Sequence, residues 1–209
     1  MKLSYSRMIL RMDTKSTPFD RRQAVIDTFL SVVATRGVES ASFRTVADEA
    51  GVSLGTVQHY FRTREDLLAA TYGEVLRRIR SRIEALEQDG DARERLQRVV
   101  HELLPLDPVR RDECAIHLAF AAVAPSRPAL QELQSRALGE LHDGIAHLVL
   151  EAGAATDLER ALLLARAVTA TADGLALHVL STGGAPTPEV LTSTMGTVLD
   201  RLLTTAGSR

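Results

Sequence analysis

The stretch from Ser42 to Asp66, SFRTVADEAGVSLGTVQHYFRTRED, constrains the fold more than any other part of the chain. Ser42 stands where an N-cap side chain starts a short helix with Val46, Ala47 and Ala50 on its inner face. Gly51 supplies a tight turn, Val52 plugs it, and Ser53 caps the next helix. That helix runs from about Leu54 to Tyr60, with Val57 and Phe61 inward. Thr63-Arg64-Glu65-Asp66 has the form of a capping box, with Asp in place of Glu or Gln, and opens a third helix. The spacing is that of a helix-turn-helix.

Helical punctuation continues on both sides. From Asp20, Ala24, Val25, Thr28, Phe29, Val32 and Val33 form one apolar stripe that Gly37 ends. The helix opened at Thr63 is expected to run to Gly90, about 25 residues or roughly 37 Å. Asp91 with Glu94 starts another. Asp107-Pro108 and Thr187-Pro188-Glu189 each place a cap before a proline at the first helical position. Thr156 with Glu159 reads as a further capping box, and Ser126 to Glu151 as a helix with Pro128 near its first turn. Gly153 and Gly183-Gly184 separate the last three helices. The chain is therefore expected to be all-α, with about nine helices and no strand. Its richness in Ala, Leu, Val and Arg and its lack of tryptophan agree. Residues 1–18 have no periodicity and carry Lys2, Arg7, Arg11 and Lys15. They are expected to form a disordered basic tail, with Met8 and Met12 as alternative starts.

With 209 residues, 45% of them hydrophobic, the chain can bury a sizeable core. No uninterrupted apolar run reaches the roughly 18 residues that span a bilayer. The opening MKLSYSRMILRMD is too broken by charge for a signal peptide. The single cysteine, Cys114, excludes an internal disulfide framework and fits a reducing cytosol. A cytoplasmic protein without a membrane partner is expected. The net charge of −2 hides an asymmetry: residues 1–64 carry ten Lys/Arg against six Asp/Glu, whereas the remainder carries 15 against 21. Only the first part is suited to meet a polyanion.

An α-helix fits the major groove of DNA, and side chains in its N-terminal half reach base edges. Short residues at the front let the backbone approach, and Ser53, Gly55 and Thr56 meet that demand. Gln58 can pair with adenine, while His59 and Tyr60 can donate to phosphate oxygens. Arg44 has the fork for guanine or phosphate. Thr45 and Arg64 sit at helix N-termini, where phosphate is favoured. Two short amphipathic helices around a glycine also occur in helical proteins that bind no DNA.

RTVADEAGVSLGTVQHYFRTREDLLAAT resembles the DNA-binding segment of TetR/AcrR-family transcriptional regulators. Ala47, Ala50-Gly51-Val52-Ser53, Gly55-Thr56, Tyr60-Phe61 and Leu67 fall in register, and Phe43 and the first helix ending at Gly37 also match. TADGLALHVL and TMGTVLDRLL look like the BetI-type ligand-binding half, a looser match. The resemblance implies a helix-turn-helix domain over 19–63 and a ligand-binding and dimerisation domain over 64–209. It implies a homodimer whose heads read a near-palindromic double-stranded operator, and a small-molecule effector that releases it. It places Arg44, Thr45, Ser53, Gly55, Thr56, Gln58, Tyr60 and Arg64 at the family's DNA-contacting positions. Gln58 replaces a usual tyrosine and Leu54 a frequent lysine or polar residue, so the operator does not follow by analogy.

In the C-terminal half, Ala161, Leu164, Ala165, Val168, Ala172, Leu175 and Val179 line one apolar helix face, and Val190, Thr194, Val198 and Leu202 another. Both suit a four-helix dimer seam, and both equally suit packing inside one protomer. Polar residues embedded in apolar helices are the candidates for an effector pocket: Cys114, His117, Phe120, His142, Thr169, Asp173 and His178. Each also reads as an ordinary core or surface residue. His142 and His147 are splayed, and no cysteine or acidic cluster completes a metal site. No cofactor is expected. No nucleophile–base pair, phosphate loop or paired carboxylates point to an enzyme. A DNA binder without effector, and an activator, remain alternatives to a repressor.

Overall fold

The structure is a computed structural model and describes residues 18–204 apart from Gln88 and Gly184. The basic-tail expectation for residues 1–18 lies outside the described residues except at Pro18, which instead opens α1. Among those described there are nine α-helices and no strand. They are α1 Pro18–Arg36, α2 Phe43–Ala50, α3 Leu54–Tyr60, α4 Arg64–Glu84, α5 Ala92–His101, α6 Pro108–Val123, α7 Pro128–Glu151, α8 Leu158–Ser181 and α9 Pro188–Leu202.

Most caps fall where the sequence writes them. Ser42 and Ser53 accept from the backbone N–H groups of Thr45 and Thr56 at 3.1 and 3.0 Å. Thr63 and Asp66 close a reciprocal capping box at the start of α4, as Asp91 and Glu94 do for α5. Three expectations need correction. α4 ends at Glu84 rather than at Gly90. Gly90 is left-handed at φ 80°, but it belongs to the turn that leads into α5. The cap of α8 is Asp157, not Thr156, because its carboxylate accepts from Arg160 N–H at 2.8 Å while Thr156 only donates to that carboxylate. α7 begins at Pro128, since residues Ala124–Ser126 form a separate single 3-10 turn.

Two clusters of buried side chains build the interior. The first joins α1, α2, α3 and the first half of α4 to α6: Phe29, Val57, Leu67, Tyr72, Ile116 and Phe120 all belong to it. Tyr72 stacks on Phe120 with centroids 4.0 Å apart and planes 15° apart. The second lies among α5, α7, α8 and α9, around Leu96, Ile145, Val168, Ala172 and Met195. The interior therefore runs without a break across the 63/64 boundary. α8 has an 18-residue window of mean hydropathy 1.3, so by length and composition it matches a membrane span although no uninterrupted apolar run does. Here its inner face packs on α7, α6 and α9.

Candidate functional site

The N-terminal head presents a short helix with a small front. Gly51 takes φ 66° and ψ 30°, the left-handed conformation that lets α2 turn into α3 within three residues and that a side chain would strain. Val57 is wholly buried and anchors α3, leaving Ser53, Gly55, Gln58 and His59 exposed on one side. A Cβ at Gly55 would meet only the Ser53 hydroxyl at 3.7 Å, so the openness there is toward solvent. Thr45 and Thr56 are half-buried, and their hydroxyls bond the capping serines at 2.8 and 2.9 Å. The His59 and Tyr60 rings meet edge to face, 5.2 Å apart.

The cations around this head differ in their freedom. Arg36 is paired with Glu49, and Arg22 lies over the Phe61 ring at 5.2 Å. Arg64 points Nη1 at Glu39, 3.7 Å away, while its Nε and Nη2 are buried without a partner. Arg44 and Arg62 are exposed, and among the described residues neither has a partner. Arg62 is absent from the sequence-derived candidates. Its signal was an arginine directly after the Tyr60-Phe61 pair, in the turn between α3 and α4.

A second feature lies inside the helical body. A cavity of about 300 Å³ opens among α4, α5, α6, α7 and α8. Its wall is mostly aliphatic, from Leu76, Ile79, Ile83, Leu103, Leu141 and Ile145 among others. One pole is polar. His117 Nε2 lies 3.2 Å from Asp173 Oδ1, and Tyr72 tilts toward the His117 ring at 5.9 Å. Burial first, then the Asp173 charge, raises the Tyr72 phenol above its ordinary value. Burial also pushes the Cys114 thiol up to about 12, which keeps this wall group neutral.

At the α4–α5–α6 side of the cavity, charges are clasped. Arg82 holds Glu113 through two bonds of 3.0 and 2.7 Å and Glu102 through a third of 2.7 Å. Arg110 takes the other Glu102 oxygen at 3.0 Å and Asp107 at 2.8 Å.

Comparison with known proteins decides what these two features belong to. The profile of bacterial regulatory proteins of the tetR family matches residues 25–71, and that of the BetI-type transcriptional repressor C-terminal half matches residues 92–204. The chain belongs to the TetR family of transcriptional regulators. It is 32% identical to the HTH-type transcriptional regulator BetI of Escherichia coli over 167 residues, 78% of this chain and 84% of that one. It is 31% identical to the regulator PksA of Bacillus subtilis over 173 residues, 77% and 78% of the two chains. A transcriptional regulator from Rhodococcus superposes with a TM-score of 0.80 at 30% identity, covering 87% of this chain and 95% of that one. These relatives are named as DNA-binding regulators and not as enzymes.

Within this TetR-family regulator the sequence-derived residues divide clearly. The nine head candidates lie on α2, α3, the cap between them and the start of α4; Arg44, Ser53, Gly55, Gln58 and His59 are exposed, whereas Thr45, Thr56, Tyr60 and Arg64 are half-buried. Of the seven pocket candidates, Cys114, His117, Thr169 and Asp173 line the cavity. Phe120 does not, because it is wholly buried beneath Tyr72. His142 stands behind the wall, bonded to the Thr169 hydroxyl at 2.9 Å, and burial lowers its pKa. His178 is exposed outside the cavity, near the end of α8. The predicted seam also needs correction. Ala161, Ala165, Val168, Ala172 and Val179 are at most 2% exposed within one protomer, and the first four belong to the cluster shared with α5, α7 and α9. The outer sides of α8 and α9 carry Leu163, Leu177 and Val190, each about half exposed, together with the exposed Thr194 and the half-buried Val198 and Leu202. Among the described residues, no cluster of three or more His, Cys, Asp or Glu is arranged for a metal ion.

Proposed function

We propose that this regulator is a one-component repressor that a small-molecule effector releases from a palindromic operator in the cytoplasm. Residues 19–63 form the reading part and residues 64–209 the sensing and dimerising part. The observation that carries the reading is the double duty of α4. It starts at Arg64, beside the recognition helix, and Tyr72, Leu76, Ile79 and Ile83 along it line the cavity. A ligand that prefers one position of α4 therefore shifts the head, and by linkage the operator shifts ligand affinity equally. The cavity suits a mainly apolar molecule with a polar group at the His117–Asp173 pole.

In this reading Ser53, Gly55, Thr56 and Gln58 face the groove. Arg44, Thr45, His59, Tyr60 and Arg62 face bases or phosphates at its edges. Arg64 acts chiefly within the head. Two copies join through the outer faces of α8 and α9, where Leu163, Leu177 and Val190 are otherwise unpartnered apolar side chains. A footprint on the DNA upstream of the chain's own gene, with and without candidate effectors, tests this. A protected inverted repeat that an effector exposes is expected. Protection that no small molecule changes would leave a DNA binder without an effector.

A further inference from the structure

The cavity has two unlike borders on α4. On the α5–α6 side, Arg82 is forked onto Glu113, whose side chain is 3% exposed, and α4 is held to α6 by buried contacts. On the α7 side, α4 is not closely packed. An ion pair between Arg80 on α4 and Glu140 on α7 crosses the seam beside the cavity, and both side chains are open to water, 64% and 65% exposed; at the far end of the seam Arg127, the residue before α7, lies 3.5 Å from Glu65 on α4. A second depression of about 260 Å³ lies outside that seam, bordered by Gly73, Arg77, Leu133 and Arg136. Leu76, Arg80, Ala137 and Glu140 line both the outer depression and the inner cavity. These four residues are a partition with a vestibule on one side and the binding space on the other.

We propose that the Arg80–Glu140 ion pair is the gate through which the effector enters and leaves, passing between Leu76 and Ala137. An exposed ion pair contributes little to stability, so it yields without unfolding anything. Arg80 can swing into the vestibule while the clasp of Arg82 on the buried Glu113 keeps the rest of α4 in place. Gly73 on the vestibule side, Ala137 at the partition and Gly144 on the cavity side place small residues along the path. Arg80 and Glu140 thus set the rate of access in both directions.

This inference rests on the effector reading above, but it is tested without DNA, so operator release and gating fail separately. The probe is N-phenyl-1-naphthylamine, a neutral dye that emits in apolar surroundings, mixed with the full chain by stopped flow. Arg80→Ala and Glu140→Ala should each raise both the association and the dissociation rate, up to about fivefold. The exchanged pair Arg80→Glu/Glu140→Arg should restore both rates. Bridging Arg80→Cys/Glu140→Cys with a bismaleimide, in a chain that also carries Cys114→Ser because Cys114 is only half-buried and lines the cavity, should abolish the association phase. Unchanged rates, a Kd change carried by dissociation alone, undiminished association in the bridged protein, or no saturable dye binding to the unaltered chain would each overturn the gate.

Discussion

Replacing Arg82 by methionine keeps most of the side-chain volume and removes the charge. Glu113 then loses both of its bonds, of 3.0 and 2.7 Å, while its side chain stays 3% exposed. Glu102 loses one bond but keeps Arg110 at 3.0 Å. The damage therefore concentrates at Glu113, which has no second cation among the described residues. Breaking a buried pair from one side costs about 3–5 kcal/mol, since an uncompensated charge stays buried. For a chain of this size that lowers Tm by about 6–20 °C. The assay is thermal unfolding at one fixed protein concentration, because a dimer's midpoint depends on concentration. Arg82→Met/Glu113→Leu removes the orphaned carboxylate and should recover most of the loss. A single variant within about 2 °C of the unaltered chain would refute the reasoning. So would a double variant whose loss is the sum of the two single losses, because uncoupled residues add.

Arg62→Ala and Arg44→Ala should each flatten the log K against log salt slope by about one, Arg62→Ala equally on operator and unrelated duplex. Arg64→Ala should change that slope less, since its guanidinium is turned toward Glu39; titrations at several salt concentrations separate the three. Leu163→Glu/Leu177→Glu should convert the proposed dimer to monomers in sedimentation while leaving helix content intact, because the charges would be desolvated at the proposed seam. Acid should weaken the fold in two stages. His101 and His142 have pKa values lowered by burial and by Arg110 and Arg166, so their contribution is full above about 6.5 and declines below it. The Glu74 carboxyl, held near 2 chiefly by Arg77 against an ordinary 4.5, adds a loss between those values. Urea midpoints from pH 7.5 downward should fall through the first window, and less so in His142→Gln.

The head was legible because its instructions are local. Ser42, Ser53, Thr63 and Gly51 each act on a backbone group within four residues, and spacing alone exposes them. The end of α4 was not legible. Gly90 does adopt a left-handed turn, yet the helix stops at Glu84 without a glycine cap, as tertiary packing rather than propensity decides. The faces of α8 also escaped, because it is apolar nearly all round. Periodicity puts Ala161, Ala165 and Val168 on one face but does not say whether that face looks into the protomer or out of it, and Leu163 was not singled out. Four cavity residues were found as polar interruptions of apolar helices. Tyr72, Arg80, Arg82 and Glu140 were missed, since their meaning depends on partners dozens of residues away.

Tyr72 is a wall of the cavity and also a member of the cluster that holds α1, α3 and α4 together. A change at this ring therefore reaches both the sensing and the reading half. The head has no interior of its own to retreat into: Phe29 of α1 packs in one cluster with Ile116 and Phe120 of α6. Grafting residues 19–63 onto another regulator would separate α1 from those two side chains. The transferable unit is larger than the sequence motif, and a working chimera must bring the matching surface of α6 with it. In evolutionary terms, operator preference can drift freely at Gln58 or Arg44 on the exposed face. The inner face of the same head must change together with the sensor.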